Sequence, residues 1–366
     1  MPHRTHASSV AARLWRRLRA EWTELVRVQK SDRPWQLPAA AAIASGGPLL
    51  AAAWHGNLAL GLAASLGGLV FLYLPRAAGA RGLARVAGCA IGMVASHAIG
   101  TASQVSPAAT VAATGLVAFA AALLCRWRGV GPPAALFFVM AVSIAAQTPV
   151  HPGRALLNTE LLAAGCLLAL AVAVAYRLLL PHDIAATPAR PAPAGGVVIL
   201  AESLVIGSFV ALSLAVAQAA GLERPYWVPV SCMAVLQGAS LRAAWTRQLQ
   251  RIAGTGVGML LFGALAAAPL TAWHVAAAVT GLTFVVETLV VRHYGAAVVF
   301  ITPLAVLLAE AAQLPGQVAG HSVHDLMQAR LLDTVIGCLF GLAGAAVLHT
   351  SALRSLVGRW VRRDAR

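Results

Sequence analysis

Tyr226 to Gly258 reads YWVPVSCMAVLQGASLRAAWTRQLQRIAGTGVG, and this stretch decides the fold. An aromatic and proline opening leads into an apolar helix. A short loop holding Arg242, Arg247 and Arg251 follows, and then an apolar helix carrying a ladder of glycines. Two apolar helices around an arginine-rich turn suit a membrane hairpin, because the bilayer confines such charge to the ends of its spans.

The arginine elbow occurs twice. Sliding the chain against itself lays RVAGCAIGM (Arg85 to Met93) on RIAGTGVGM (Arg251 to Met259), and the same shift superposes Arg76 on Arg242 and Arg81 on Arg247. A register that keeps three arginines, two glycines and the apolar pattern is a duplication signal. A weaker echo, at a slightly different offset, sets Leu161 to Leu168 against Leu332 to Leu339. Each half therefore reads as one copy of a helical unit.

Composition agrees with a membrane protein. The chain has 366 residues, of which 59% are hydrophobic and 11% charged, and a mean hydropathy of +0.77; soluble domains carry ~25% charge. The net charge of +15 then reads as a topology signal before it reads as nucleic-acid affinity. Lys30 is the only lysine, so no GxxxxGK[ST] phosphate loop exists. The five cysteines fall in or beside apolar segments without CxxC spacing, and read as small packing residues. No GxSxG elbow or HExxH pattern points to an enzyme, and no cofactor is expected.

The expected architecture is all-α, with about twelve transmembrane helices forming two parallel six-helix repeats and both termini cytoplasmic. Residues 1–36 form a basic amphipathic cytoplasmic segment, 37–180 the first repeat, 181–196 a Pro-rich linker, 197–349 the second repeat and 350–366 a basic tail. The predicted helices are 37–53, 58–74, 86–103, 107–125, 132–148, 159–179, 197–219, 226–241, 252–268, 273–291, 295–311 and 331–349. This count leaves only Arg154, Arg224 and Arg330, of 27 Lys and Arg, on the outer side. That is the asymmetry of a positive-inside protein. Two halves entering from the same side make a parallel repeat about an axis along the membrane normal.

Several residues are candidates for chemistry. Arg85 and Arg251, with Arg81 and Arg247, are substrate candidates, because guanidinium forks grip carboxylates bidentately and topology alone does not explain a repeated register. Glycine pairs at Gly88 and Gly92, Gly254 and Gly258, and Gly337 and Gly341 are expected where helices cross closely. Acids inside apolar segments need a partner or a role. Glu287 has Arg292 and His293 nearby and reads as a snorkelling or proton-coupling carboxylate, and Asp333, one turn from Arg330, reads as a structural ion pair or a second proton-coupling acid. Glu202 lies early in the seventh helix, and His97 reads as a hydrogen-bonded packing residue. His321, His324 and Asp325 share a helical face but lack the second cluster a metal site needs, so no metal is expected.

The opening stretch, followed by RLLDTVIGCL from Arg330 to Leu339, resembles the fusaric acid resistance and aromatic acid exporter family. The resemblance covers mainly the second half. It carries Tyr226, Trp227, Arg247, Arg251, Gly254, Arg330, Asp333 and Gly337 as signature positions and adds Tyr226 and Trp227 to the substrate candidates. It implies efflux of aromatic or other organic carboxylates across a bacterial inner membrane, driven by the proton gradient, with a periplasmic adaptor subunit. Expected partners are the bilayer, a small organic anion, an adaptor and a second copy of the chain, and no nucleic acid. A passive anion channel and a non-transporting membrane scaffold remain the alternatives.

Overall fold

A computed structural model of the chain describes residues 15, 19, 22, 23, 25–75, 80–147, 152–179, 195–267, 270–310 and 323–350. From residue 36 onward these form twelve α-helices and no strand. They are α1 (Gln36–Trp54), α2 (Leu58–Gly68), α3 (Ala80–Ala102), α4 (Pro107–Trp127), α5 (Leu136–Gln147) and α6 (Pro152–Leu179), then α7 (Gly196–Ala219), α8 (Trp227–Leu236), α9 (Leu241–Ala266), α10 (Ala272–Leu289), α11 (Tyr294–Glu310) and α12 (Val323–Leu348). A 3₁₀ turn, Leu69–Tyr73, prolongs α2.

Eight of the twelve are long and apolar enough to cross a bilayer, so the chain is a multi-pass membrane protein. The four shorter ones, α2, α5, α8 and α11, hold the second and fifth places in each run of six. The ten residues of α8 rise ~15 Å, half of the ~30 Å hydrocarbon core. Its uniformly apolar sequence gives it burial, not span: all ten residues are buried.

The sequence expectation misplaces one kind of boundary. Arg247 and Arg251 are not in a loop but in the first half of α9, which starts at Leu241 where 252 is expected. The turn is only Gln237 to Ser240. The Ser240 hydroxyl accepts from the Ala243 amide and caps the helix; Leu, Arg, Ala and Gln then carry it on without a glycine or proline until Gly254. Arg81 and Arg85 likewise lie within α3, and Arg330 and Asp333 within α12. Arg76, the linker 181–194, the tail from 351 and most of the predicted N-terminal helix lie outside the described residues.

Packing follows a pattern. The two largest contacts between the first six and last six helices are α4 on α7 and α1 on α10. Within the runs, α3 packs on α5 and α9 on α11, while α2 packs on α6 and α8 on α12. These crossings are close because they run on glycine. A Cβ at Gly337 would stand 2.3 Å from the Val228 carbonyl oxygen and 2.6 Å from Ser231 Cβ; at Gly258 it would meet the Val299 carbonyl at 2.6 Å. Gly92, Gly254 and Gly341 are equally confined, by Phe138, Val298 and Val235 respectively. Gly88 is the exception: it is exposed, with nothing within 4 Å of an added Cβ, and it is not a crossing residue.

Gly337→Ala is therefore expected to lower thermal stability in detergent by an amount typical of overpacking, ~1–3 kcal/mol, and Gly88→Ala to leave it unchanged. Equal melting temperatures for the two variants would refute the α8–α12 crossing.

Candidate functional site

Helices α8, α9 and α11 converge on Arg251. Its Cα lies ten residues into α9, about 15 Å along the helix, and the residue is 5% exposed. One terminal nitrogen donates to the Tyr294 hydroxyl at 3.2 Å and the other to Ser231 Oγ on α8 at 3.2 Å. Arg247, one turn earlier, lays its guanidinium over the Tyr294 ring at 4.4 Å, a cation–π distance. Tyr294, at the start of α11, thus binds one arginine by its hydroxyl and the other by its face.

This arrangement leaves donors over. A guanidinium has five N–H groups, yet Arg251 directs its bonds to neutral hydroxyls, at lengths beyond the ~2.7–2.9 Å of charge-assisted pairs. The Nε atoms of Arg251 and Arg247 are buried without a hydrogen-bond partner among the described residues, as is Oε1 of Gln248 between them. Arg251 makes no ion pair among the described residues. Two guanidiniums with no carboxylate paired to them among the described residues are an arrangement that can receive an anion.

A second cluster stands at the N-terminal end of α8. Trp227 is 2% exposed, and the Arg330 guanidinium lies 3.5 Å from its ring centroid. Asp333, one turn on from Arg330 along α12, is 1% exposed and lies in the field of Arg330, Arg224 and Glu223. Tyr226 tilts against Trp227 at 5.1 Å between ring centroids, and the cluster they form with Val230 packs on Met140, Ile144 and Ala305, bridging α5 and α11. Trp227 and Ser231 are four residues apart on α8, so the two arginine sites are offset by about one helical turn, ~6 Å.

Glu287 needs correction. It does not snorkel beside Arg292 and His293; it is 7% exposed and pairs with Arg33, 254 residues earlier, at 2.9 Å. The other terminal nitrogen of Arg33 donates to the Glu287 carbonyl at 3.0 Å. The stretch before Arg33 lies across the same end of the bundle. The Leu25 carbonyl accepts from Gln250 Nε2 at 3.0 Å, and the Gln29 amide donates to the Arg292 carbonyl at 2.8 Å. His293 Nδ1 accepts from the Ala296 amide at 2.8 Å, which leaves Nε2 as the protonated nitrogen donating to the Leu25 carbonyl at 2.8 Å. Glu202 pairs with Arg126, across the seam between α7 and α4.

The two sets of repeated arginines are not packed against each other. α3 packs on α5 and α6, and α9 on α11 and α12, with no packed interface between α3 and α9. Arg85 is half-buried and Arg81 exposed. The shift that superposes Arg85 on Arg251 puts Ser65 opposite Ser231 but Arg128 opposite Tyr294, so the first half lacks the phenol that joins the two arginines. Ser65 bonds instead to Ser45, at 3.2 Å between hydroxyl oxygens. His97 sits against Thr159, with 2.9 Å between Nδ1 and the hydroxyl. The side chains of His321 and His324 lie outside the described residues, and among the described residues no group of three ligating side chains comes together. All five cysteines are buried free thiols.

Sequence reasoning missed Tyr294, Ser231, Gln248 and Arg33. Tyr294, one of only four tyrosines, opens an apolar helix just after Arg292 and His293; a polar-tipped aromatic there is a visible signal. Nothing local marks Arg33.

Residues 210–344 match the family described as fusaric acid resistance protein-like. That range takes in α8 to α11 whole, with Trp227, Ser231, Arg247, Arg251, Tyr294, Arg330 and Asp333. The chain is also similar to the protein described as "Uncharacterized membrane protein YvaC" of Bacillus subtilis (strain 168), 33% identical over 150 residues. The aligned stretch covers 40% of this chain and 23% of that protein, so the chain spans under a quarter of that relative. No solved structure matches. The similarity to that family thus lies in the second half of the chain.

The two ion pairs are expected to differ in worth. Arg33→Ala strands a buried carboxylate and should cost ~3–5 kcal/mol. Arg126→Ala breaks a pair whose side chains are 36% and 29% exposed and should cost ~0–1 kcal/mol. Thermal unfolding of the purified variants checks the order, and an Arg126 variant less stable than the Arg33 variant would contradict it.

Proposed function

We propose that this fusaric acid resistance-like membrane protein is an inner-membrane efflux transporter of organic anions, aromatic carboxylates foremost, with Arg251 receiving the carboxylate. One observation carries the reading: Arg251 is buried, bonded to hydroxyls alone among the described residues and joined by a second guanidinium over the same tyrosine. A carboxylate entering there gains two charge-assisted bonds that Tyr294 and Ser231 supply only weakly. The Tyr294 ring offers an apolar face to an aromatic body. The family match supports a role in moving such solutes.

The equivalent packing of helices six apart, with short helices in the same places of each run, supports two parallel repeats of one unit. Rocking of one repeat against the other about the α4–α7 and α1–α10 seams is the motion such a plan allows. With arginine-bearing turns on the cytoplasmic side, the Arg247–Tyr294 end faces the cytoplasm and the Trp227–Arg330 end faces outward. Asp333, the buried acid at the outer end, is the residue suited to couple a proton to release, because neutralising it raises the positive potential that Arg330 presents to a departing anion. An adaptor subunit and self-association remain part of this proposal, and the chain acts without enzymatic chemistry.

Efflux of a labelled aromatic-carboxylate panel from cells, with and without the protein and before and after collapse of the proton gradient, tests the reading. Gradient-dependent efflux is expected; flux persisting downhill after collapse assigns a passive channel instead. Arg251→Gln should reduce efflux about 10- to 100-fold, as loss of a charged hydrogen bond of ~1.5–3 kcal/mol implies, at unchanged abundance. Tyr294→Phe, which keeps the ring beneath Arg247, should reduce it less. Full efflux by Arg251→Gln removes Arg251 from the site.

A further inference from the structure

The two seams joining the halves end alike on one face of the bundle. At the α1–α10 seam, Arg33 just before α1 pairs with Glu287 near the end of α10; at the α4–α7 seam, Glu202 early in α7 pairs with Arg126 near the end of α4. The charges are exchanged, but each pair ties a helix of one half to a helix of the other at the same level.

What covers the two pairs differs. Over the α1–α10 seam lies the stretch from Leu25 to Arg33, held by Gln250, His293, Arg292 and Glu287. Its ion pair is correspondingly shielded, with side chains 12% and 9% exposed. Beside the α4–α7 seam is a cleft of about 210 Å³. Its walls are apolar: Ala122, Ile206, Met233 and Leu236 line it, each at most 3% exposed. Its lining also includes Arg126 and Gln237, the Nε2 of which donates to the Pro133 carbonyl at 2.9 Å.

We infer that this cleft is a second binding site, taking a small organic acid whose apolar body fills the space between α4, α7 and α8 while its carboxylate displaces Glu202 from Arg126. The occupant follows from charge and size. Arg126 and Arg128 stand at this end of α4, and among the described residues Glu202 is the acid paired there, so the mouth is net positive and selects an anion. The walls offer nothing to a polar body. The volume is below the ~300–1,000 Å³ of pockets for drug-sized ligands, which restricts the guest to about one aromatic ring. The Arg126–Glu202 pair is the partly exposed kind that costs little to exchange. The inference rests on the transport reading for its ligand class and adds a waiting site, bounded by the far end of the helix that carries Ser231.

Calorimetric titration of benzoate into the purified full-length protein tests it, with Arg126→Gln, Arg126→Lys, Glu202→Gln, Met233→Trp and Arg251→Gln compared. Two classes of site are expected in the parent protein. Arg126→Gln and the space-filling Met233→Trp should weaken one class tenfold or more, and Arg126→Lys should retain most of it. Glu202→Gln, which removes the competing carboxylate, should tighten that class by up to about fivefold, a gain that a merely structural ion pair does not produce. Arg251→Gln should remove the other class alone. If benzoate binding is unaffected by Arg126→Gln, Met233→Trp and Glu202→Gln while Arg251→Gln abolishes it, the cleft site is overturned and the transport site stands. If the cleft class alone is found, the assignment of Arg251 falls and the cleft site stands. No benzoate binding to the parent protein overturns both.

Discussion

A helix too short to cross the membrane and buried on every side imposes the order of the second half. Trp227–Leu236 has both of its ends inside the bundle, where backbone groups without partners cost several kcal/mol each. It therefore has to be enclosed, and glycine makes the enclosure possible: α12 approaches so closely that a methyl group at Gly337 would overlap the Val228 carbonyl. Its few polar or aromatic positions then find their partners in the surrounding helices. Trp227 lies under Arg330, Ser231 takes a bond from Arg251, and Gln237, just past its end, reaches Pro133 in the first half.

From that enclosure comes the electrostatic character of the site. A guanidinium in apolar surroundings is tolerated only where its charge has a function or a counterion, and around Arg251 the described residues supply hydroxyls and a ring but no paired acid. The opposite holds at the face where α1 meets α10, where Glu287 is matched by Arg33 at 2.9 Å. The fold thus neutralises charge where the halves are tied and leaves it uncompensated where a solute is proposed to bind. In the first half Arg85 is half-buried and the sequence shift that lays it on Arg251 brings no tyrosine opposite Tyr294.

The eight span-length helices were legible in the sequence because apolar length is a one-dimensional signal that lipid makes strict, whereas α2, α5, α8 and α11, expected as spans, are shorter than a crossing needs. Helix starts were less legible. Arg247 and Arg251 resemble loop residues in a hydropathy reading, yet arginine is a good helix former, and a capped helix can begin well before its apolar part. Which arginine would be buried was not legible either, since a repeated register fixes backbone equivalence and says nothing of the neighbours. Arg251 and Arg85 match in sequence and differ in surroundings. Glu287 illustrates the same limit across distance. Arg292 and His293 are adjacent in the chain, but at the end of α10 they turn to the Thr288 and Leu25 carbonyls, and the counterion arrives from before the first helix. The glycines were read correctly wherever another helix was there to meet them, as at Gly258 and Gly337, and incorrectly at Gly88, which meets none.

The central claim is that the carboxylate of a transported acid occupies the space beside Arg251. An experimental structure of the protein soaked with 4-bromobenzoate, with the bromine located by its anomalous scattering, tests this most directly. The account predicts a carboxylate bonded to the Arg251 guanidinium, with the bromine peak one ring length away toward Tyr294. It is contradicted if the ligand binds elsewhere and the Arg251 guanidinium keeps only its bonds to Tyr294 and Ser231.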